Sequence, residues 1–375
     1  MEWKTVFHLA TGILGLFVIV RFIAPLPWSM RLRMALSVAT ALVSLHHLFS
    51  RIAGTMFSPE VPRAAIIAVN WLFDTILLIA VFQLVLDIAT ALRALVRRRW
   101  VSAPTVARYV LGMAALSLAA FGVNQAARVP PVKHIEIAIR DLPREFDGFR
   151  VVQLTDLHLS RLFEAPWAEA VVRETNALKP DLIVITGDLI DGTLENRRHD
   201  IEPLKKLSAA HGVYVSPGNH EYYFGYSDWM ARFKELGLRP LANAHTVLRR
   251  GGAELVLAGV TDPTALASGL PGPDVHQAIA GAPAGVPILL LNHQPKQAAL
   301  SARAGASLQL SGHTHGGMIV GFDRLIARFN NGYVSGRYDV EGMPLYVSNG
   351  TALWLGFALR MGVPSELTSI VLRAA

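Results

Sequence analysis

Pro180-Asp181-Leu182-Ile183-Val184-Ile185-Thr186-Gly187-Asp188-Leu189-Ile190-Asp191 decides how this chain is read. Asp181 to Ile185 carries a short apolar run with no polar alternation, the pattern of a strand buried on both faces. The run ends at Gly187, and two carboxylates follow it, Asp188 and Asp191. A carboxylate placed just after a buried strand is free to offer both oxygens to ligands.

The same arrangement recurs along the chain. Arg150 to Leu154 is a second apolar run, followed by Asp156-Leu157-His158. Val213-Tyr214-Val215 is followed, after the turn-forming Pro217, by Gly218-Asn219-His220-Glu221. Ile288 to Leu291 leads into Asn292-His293, and Leu308-Gln309-Leu310 into Gly312-His313-Thr314-His315-Gly316. Asp156 and His158, two apart in extended chain, point the same way and reach one ion. His313 and His315 have the same spacing. These are hard-oxygen and imidazole ligands delivered by loops from separate strands, which is how a chain builds a two-metal site. The set suits Mn²⁺, Fe or Zn²⁺ better than Mg²⁺, because imidazole favours transition metals. Asp191, three residues past Asp188, is placed to orient an imidazole, as carboxylates behind metal sites do. The other eight of the 13 histidines lie outside these motifs. Ala168 to Leu178 has helical periodicity, and His134 to Ile139 alternates like an edge strand. Together these features predict an α/β domain.

Composition adds a second part. Of the 375 residues, 52% are hydrophobic and 17% charged, and the apolar excess lies in the first 125. Four spans are expected, roughly Thr5–Ala24, Met34–Phe49, Ala64–Leu92 and Thr105–Val123, against about 20 residues per membrane crossing. The first lacks the charged leader and small-residue cleavage site of a signal peptide. Arg31, Arg33, Arg93, Arg97, Arg98, Arg99 and Arg108 flank the spans on one side. Lys4, Arg51, Arg63, Arg128 and Lys133 lie on the other. The richer side is expected in the cytoplasm, with the large C-terminal domain periplasmic or extracellular in a bacterial inner membrane. Without the second span this orientation inverts. The net charge of +7 follows from these flanking arginines, so nucleic acid is not expected as a partner. The chain has no cysteine, which excludes thiolate zinc sites, disulfides and cysteine nucleophiles. Asn70 and Asp74 share a face of the third span, where His46 and His47 are the nearest hydrogen-bonding candidates. Asp87 is placed to meet Arg93. The expected organisation is a transmembrane domain over residues 1–125, a linker over 126–131 containing Val129-Pro130-Pro131, and a catalytic domain over 132–375.

Residues from about 132 to 372 resemble the calcineurin-like metallophosphoesterase superfamily, closest to its bacterial membrane-anchored or exported branch. TDLHLS (155–160), PDLIVITGDLID (180–191), GVYVSPGNHEYY (212–223), LLLNHQP (289–295) and LSGHTHGG (310–317) carry the resemblance in order, and PLYVSNGTALWLGFALRMGVPSEL resembles the end of that branch. The resemblance implies a two-sheet β-sandwich flanked by helices, here preceded by four transmembrane helices, with a dinuclear site at the sheet ends. It implies that Asp156, His158, Asp188 and His315 hold one divalent transition-metal ion, and that Asp188, Asn219, His293 and His313 hold the other. It also implies that His220 is no ligand but stabilises phosphoryl charge or protonates the leaving oxygen. Two such ions clamp a phosphate and acidify a water into a nucleophile. Met318 departs from the family, where Gln is frequent. The expected function is a membrane-anchored phosphoesterase acting on phosphomono- or phosphodiesters, with an envelope or lipid-linked substrate. The alternatives are a cytoplasm-facing pyrophosphatase of a nucleotide-sugar lipid precursor, a catalytically silent scaffold and a transporter.

Overall fold

The computed structural model describes residues 3–99 and 102–375, with side chains from residue 6 onward, so Lys4 falls outside the described side chains. The chain divides into two compact units. One is Met1–Gln125 with Leu355–Leu359; the other is Ala126–Trp354 with Arg360–Ala375.

The first unit holds helices α1 (Trp3–Val18), α2 (Met30–Ser44), α3 (His46–Phe49), α4 (Arg63–Arg97) and α5 (Thr105–Ala127). Among the described residues, three helical stretches are long and apolar enough to cross a membrane: Val6–Ile23, Arg63–Arg97 and Thr105–Ala127. The second expected span is a broken element, Met30–Ser44 and His46–Ala53, bent by 58°. At the break Leu45 leaves the helical region at φ −106°, ψ 12°, and the His46 ring lies 2.8 Å from Val43 O.

Asn70, His46 and His47 turn to backbone rather than to Asp74. The Asn70 amide donates to Ile66 O and Leu355 O and accepts from Ala358 N. His47 Nε2 lies 2.7 Å from Gly356 O. The short segment Leu355–Leu359 is thereby held within the first unit, and Leu355 and Gly356 are buried. Asp74 is fully buried, and neither of its oxygens has a hydrogen-bond partner among the described residues. The expected help from Asn70, His46 or His47 is therefore not given; both rings and the amide bond to backbone groups instead. Asp87 accepts two bonds from Arg21, at 3.0 and 3.1 Å, and one from Gln83. It does not meet Arg93, which six residues along a helix lies well round the cylinder from it.

The second unit is built on two six-stranded mixed sheets. Its strands are β1 (Val132–Ile139), β2 (Arg150–Leu154), β3 (Leu182–Thr186), β4 (Val213–Ser216), β5 (Arg239–Pro240), β6 (Ala244–Arg250), β7 (Ala253–Gly259), β8 (Ile288–Leu291), β9 (Leu308–Ser311), β10 (Gly336–Val340), β11 (Met343–Val347) and β12 (Leu367–Ala374). One sheet runs β1-β12-β2-β3-β4-β5, the other β10-β11-β9-β8-β7-β6. Strands β2 to β5 are parallel, as are β7, β8, β9 and β11. Every residue of β3 is buried, as a central parallel strand requires. Ile137, Val151, Leu182 and Val184 of one sheet pack with Leu257, Leu289, Leu308 and Leu310 of the other as one core. Gln153 Nε2 stitches the sheets together, 2.9 Å from Thr186 Oγ1 and 3.0 Å from Ser311 O. Helices flanking the sheets include α6 (Ala165–Ala177), α7 (Leu194–Ile201), α8 (Asn219–Tyr223), α9 (Tyr226–Glu235), α10 (Val275–Ile279), α11 (Ala298–Arg303) and α12 (Asp323–Phe329). The loops leaving β2, β3, β4, β8 and β9 emerge at carboxyl ends, where open α/β sheets place ligands.

Candidate metal centre

All nine residues singled out from the sequence come together on these five loops. Asp188, just past β3, is at their middle. Its Oδ2 is 3.1 Å from His293 Nε2 and 3.9 Å from both His158 Nε2 and His220 Nε2. Its Oδ1 accepts the backbone N–H of His220. On one side, Asp156 Oδ1 lies 3.8 Å from His158 Nε2 and 3.6 Å from His315 Nε2. On the other, His313 Nδ1 lies 3.3 Å from His293 Nε2 and 3.0 Å from Asn219 Oδ1. The His293 Nδ1 atom is 2.7 Å from Thr186 O. That contact makes Nδ1 the protonated nitrogen and leaves the Nε2 lone pair facing Asp188.

The backbone that achieves this is unusual. Asp156 and His158 do not lie in extended chain as expected; their φ values are 53° and 40°. Asp188, His313 and His315 are also left-handed, at 54°, 70° and 49°. Twelve described non-glycine residues have positive φ, and five of them are these. Left-handed backbone costs an L-residue free energy and is retained where its side-chain placement serves a site. Gly218 meets a different requirement. A Cβ there would lie 2.2 Å from Asp188 Oδ1, so only glycine lets the β4 loop approach the central carboxylate.

Asp191 does more than the sequence suggested. Its Oδ1 is 2.5 Å from His220 Nδ1 and 3.1 Å from His158 Nδ1. One carboxylate thus orients two imidazoles, and each presents its Nε2 towards Asp188. His158 Nε2 is buried with no hydrogen-bond partner among the described residues, as is His315 Nδ1. Among the described residues, three groups have ligand atoms within 4.8 Å of one another: Asp156, His158 and His315; Asp188, His293 and His313; and His158, Asp191 and His220. The first two are mixed carboxylate and imidazole sets, the first with bare buried nitrogens on His158 and His315, and they fit divalent transition-metal ions. In the third, Asp191 is already engaged by two rings.

Electrostatics follow from burial and crowding. Burial favours the neutral form of Asp188, but His293 and His220 outweigh it and hold the carboxyl well below its usual range. Burial likewise opposes protonation of His220, yet Asp188 and Asp191 raise it to about 9. Burial lowers His315 to about 3.

Three residues here had no role assigned from the sequence. Glu221 accepts N–H bonds from Asp188, Leu189 and Gly218 at 3.0, 2.7 and 2.7 Å, tying the β3 loop to the β4 loop. Burial and the Asp188 charge push its carboxyl up to about 7, against the pull of those amides. Its spacing from Gly218, an acid three residues after a helix N-cap, was a readable signal. Tyr223, three residues after His220, is 44% exposed, with its ring 5.1 Å from that of His220. Arg360 is buried and donates to His315 O and Asn349 O at 2.6 Å and to Ala352 O at 3.1 Å. A lone arginine in an apolar run carried no such signal. Arg360→Met is expected to destabilise the second unit by about 2–4 kcal/mol, because it strands buried carbonyls. The check is the denaturant midpoint of the variant; an unchanged midpoint would show that the carbonyls find other partners.

Comparison with known proteins agrees with this geometry. The profile of calcineurin-like phosphoesterases matches residues 149–317, which contain all nine residues. A transmembrane protein with metallophosphoesterase domain from Danio rerio is 37% identical over 267 residues, covering 69% of this chain and 61% of the relative. The Bos taurus protein of the same description is 36% identical, with 69% and 60% covered. The chain thus spans about three fifths of the length of these vertebrate relatives. An uncharacterized metallophosphoesterase of Campylobacter jejuni is 31% identical over 293 residues, covering 76% of each chain. With matching extent, ordered motifs and two mixed sheets, the chain belongs to the calcineurin-like phosphoesterase family.

Proposed function

We propose that this protein is a membrane-anchored, dinuclear-metal phosphoesterase that hydrolyses phosphomono- or phosphodiesters of the envelope, lipid-linked ones in particular. The observation that carries the reading is Asp188 standing between two ligand clusters, within 3.1–3.9 Å of imidazoles from three other loops. Asp156, His158, Asp188 and His315 would hold one ion, and Asp188, Asn219, His293 and His313 the other. When bound, the pair supplies Lewis acidity toward phosphoryl oxygens and a more acidic water. The protein's own groups do the rest. Glu221 fixes the backbone that presents Asp188. Asp191 keeps His158 and His220 in the tautomer with Nε2 facing inward. His220, its Nδ1 held by Asp191, is positioned to give a proton from Nε2 to the leaving oxygen.

The domain arrangement proposed is the one expected above, with 132–375 catalytic. Supporting a fourth crossing, Met30, Met34, Val38 and Leu42 form an exposed apolar stripe on α2. Alone, α2 is about 22 Å long at 1.5 Å per residue, short of the roughly 30 Å hydrocarbon core; His46–Ala53 extends it. Four crossings leave the catalytic domain on the periplasmic or extracellular side. A reporter fused after Ala375 tests this, and cytoplasmic fluorescence would overturn it.

Dialysis against a chelator is expected to abolish hydrolysis of nitrophenyl phosphoesters, and added Mn²⁺ to restore it. Each ion at about 100 times its dissociation constant should add about 2.7 kcal/mol of stability. Metal analysis after reloading should give two ions per chain; one or none would overturn the dinuclear reading.

A further inference from the structure

Immediately beyond the histidine loop His313–Gly317 lies a segment that the site does not use. None of the residues of α12 is buried. Phe322, Leu325 and Phe329 recur at intervals of three and four and are 37, 43 and 66% exposed, and Val320 just before them is 71% exposed. This is an apolar helical stripe turned to the outside, the reverse of what a soluble domain does with such a face. Arg324 and Arg328, one turn apart, are also exposed, and neither makes a hydrogen bond or ion pair among the described residues.

The segment is held firmly. Val320 N donates to Met361 O, and Met361 N to Met318 O, each at 3.0 Å. The Asp323 carboxylate accepts Gly321 N at 2.8 Å. Gly317, at φ 76°, packs so close that a Cβ would lie 2.6 Å from Asp323 Cα. The helix start is therefore seated directly on the loop that carries His313 and His315.

We propose that Val320–Phe329 is an interfacial docking element. It lays its apolar stripe into the headgroup–acyl boundary of the bilayer and sets Arg324 and Arg328 against anionic lipid phosphates. Two features select a lipid surface as the occupant. The chain carries its own apolar spans, so a bilayer is always at hand. Unpaired arginines beside large apolar residues are the composition of helices that lie in that interface. The proposal deepens, and rests on, the membrane-phosphoesterase reading above. It makes the substrate class a phosphoester presented at the bilayer surface, received beside His313 and His315.

The test uses the full chain in nanodiscs containing phosphatidylglycerol. Because the protein has no cysteine, Leu325→Cys and Phe329→Cys each accept one spin label, with exposed Lys234→Cys as the reference. Labels at 325 and 329 should collide more with lipid-soluble oxygen than with an aqueous nickel chelate, and the label at 234 the reverse. Water-like accessibility at 325 and 329 overturns the proposal. So does spin–spin broadening there, which would mark a second copy as the occupant, or shielding from both reagents, which would mark another protein. A second arm compares methyl and hexadecyl nitrophenyl phosphate, the same scissile bond offered from water or from the bilayer. Leu325→Glu/Phe329→Glu should raise KM for the hexadecyl ester roughly tenfold or more and leave methyl ester turnover unchanged. Equal effects on both esters, or none on either, overturn it. If the wild type cleaves neither, the phosphoesterase reading falls, while the label depths still decide docking.

Discussion

Asp188→Ala is expected to bind neither metal ion and to lose essentially all turnover. The carboxylate stands between both ligand clusters, 3.1 Å from His293 and 3.9 Å from His158. Residues that touch a metal only through another group typically cost about 10–100-fold when removed. A shared ligand should cost well beyond that, at least about 10³-fold on the same reasoning. The loss also reaches the protein frame, because the His220 N–H loses its 2.8 Å acceptor. Three measurements separate metal loss from misfolding. Circular dichroism should show a folded chain, metal analysis should show less than one ion, and added Mn²⁺ should no longer raise the melting temperature. A variant that retains two ions would show that Asp188 is not shared between them.

The nine residues were legible because each follows a short apolar run or a single proline, and chain order carries that information without any fold. Strand β3 is the clearest case, since five buried residues lead straight into Gly187-Asp188. What was not legible depends on the third dimension. Nothing in Asp156-Leu157-His158 announces left-handed backbone at both ends; that arises because the β2 loop must curl to hydrogen-bond Gly187 O and Asp188 O. The double role of Asp191 needed His158 to arrive from another strand. In the first unit, periodicity placed Asn70 and Asp74 on one face, but not the partners of Asn70, nor the lack of a hydrogen-bond partner for Asp74 among the described residues. Asn70 is met by Leu355 and Ala358, 285 and 288 residues away. The break at Leu45 was hidden too, since Leu and His are tolerated inside helices and only the geometry reveals the bend.

His220→Ala separates chemistry from metal binding. The ring is held by Asp191 through Nδ1, and its Nε2 lies 3.9 Å from Asp188 Oδ2. It belongs to neither proposed ligand set, so both ions should remain. Turnover should fall about 10²–10⁴-fold, the usual worth of a positioned acid. The loss should depend on the leaving group. A nitrophenolate departs readily without a proton, so nitrophenyl esters should suffer least, and alkyl esters, whose alkoxide needs protonation, most. Asp191→Asn should show a weaker version of the same pattern, because it loosens the ring rather than removing it. It also frees His158, so some loss of metal should accompany it, which His220→Ala should not show. Metal loss in His220→Ala as complete as in Asp188→Ala would make His220 a ligand. An equal loss on nitrophenyl and alkyl esters would instead assign it to charge stabilisation alone, with the proton for the leaving oxygen drawn from water.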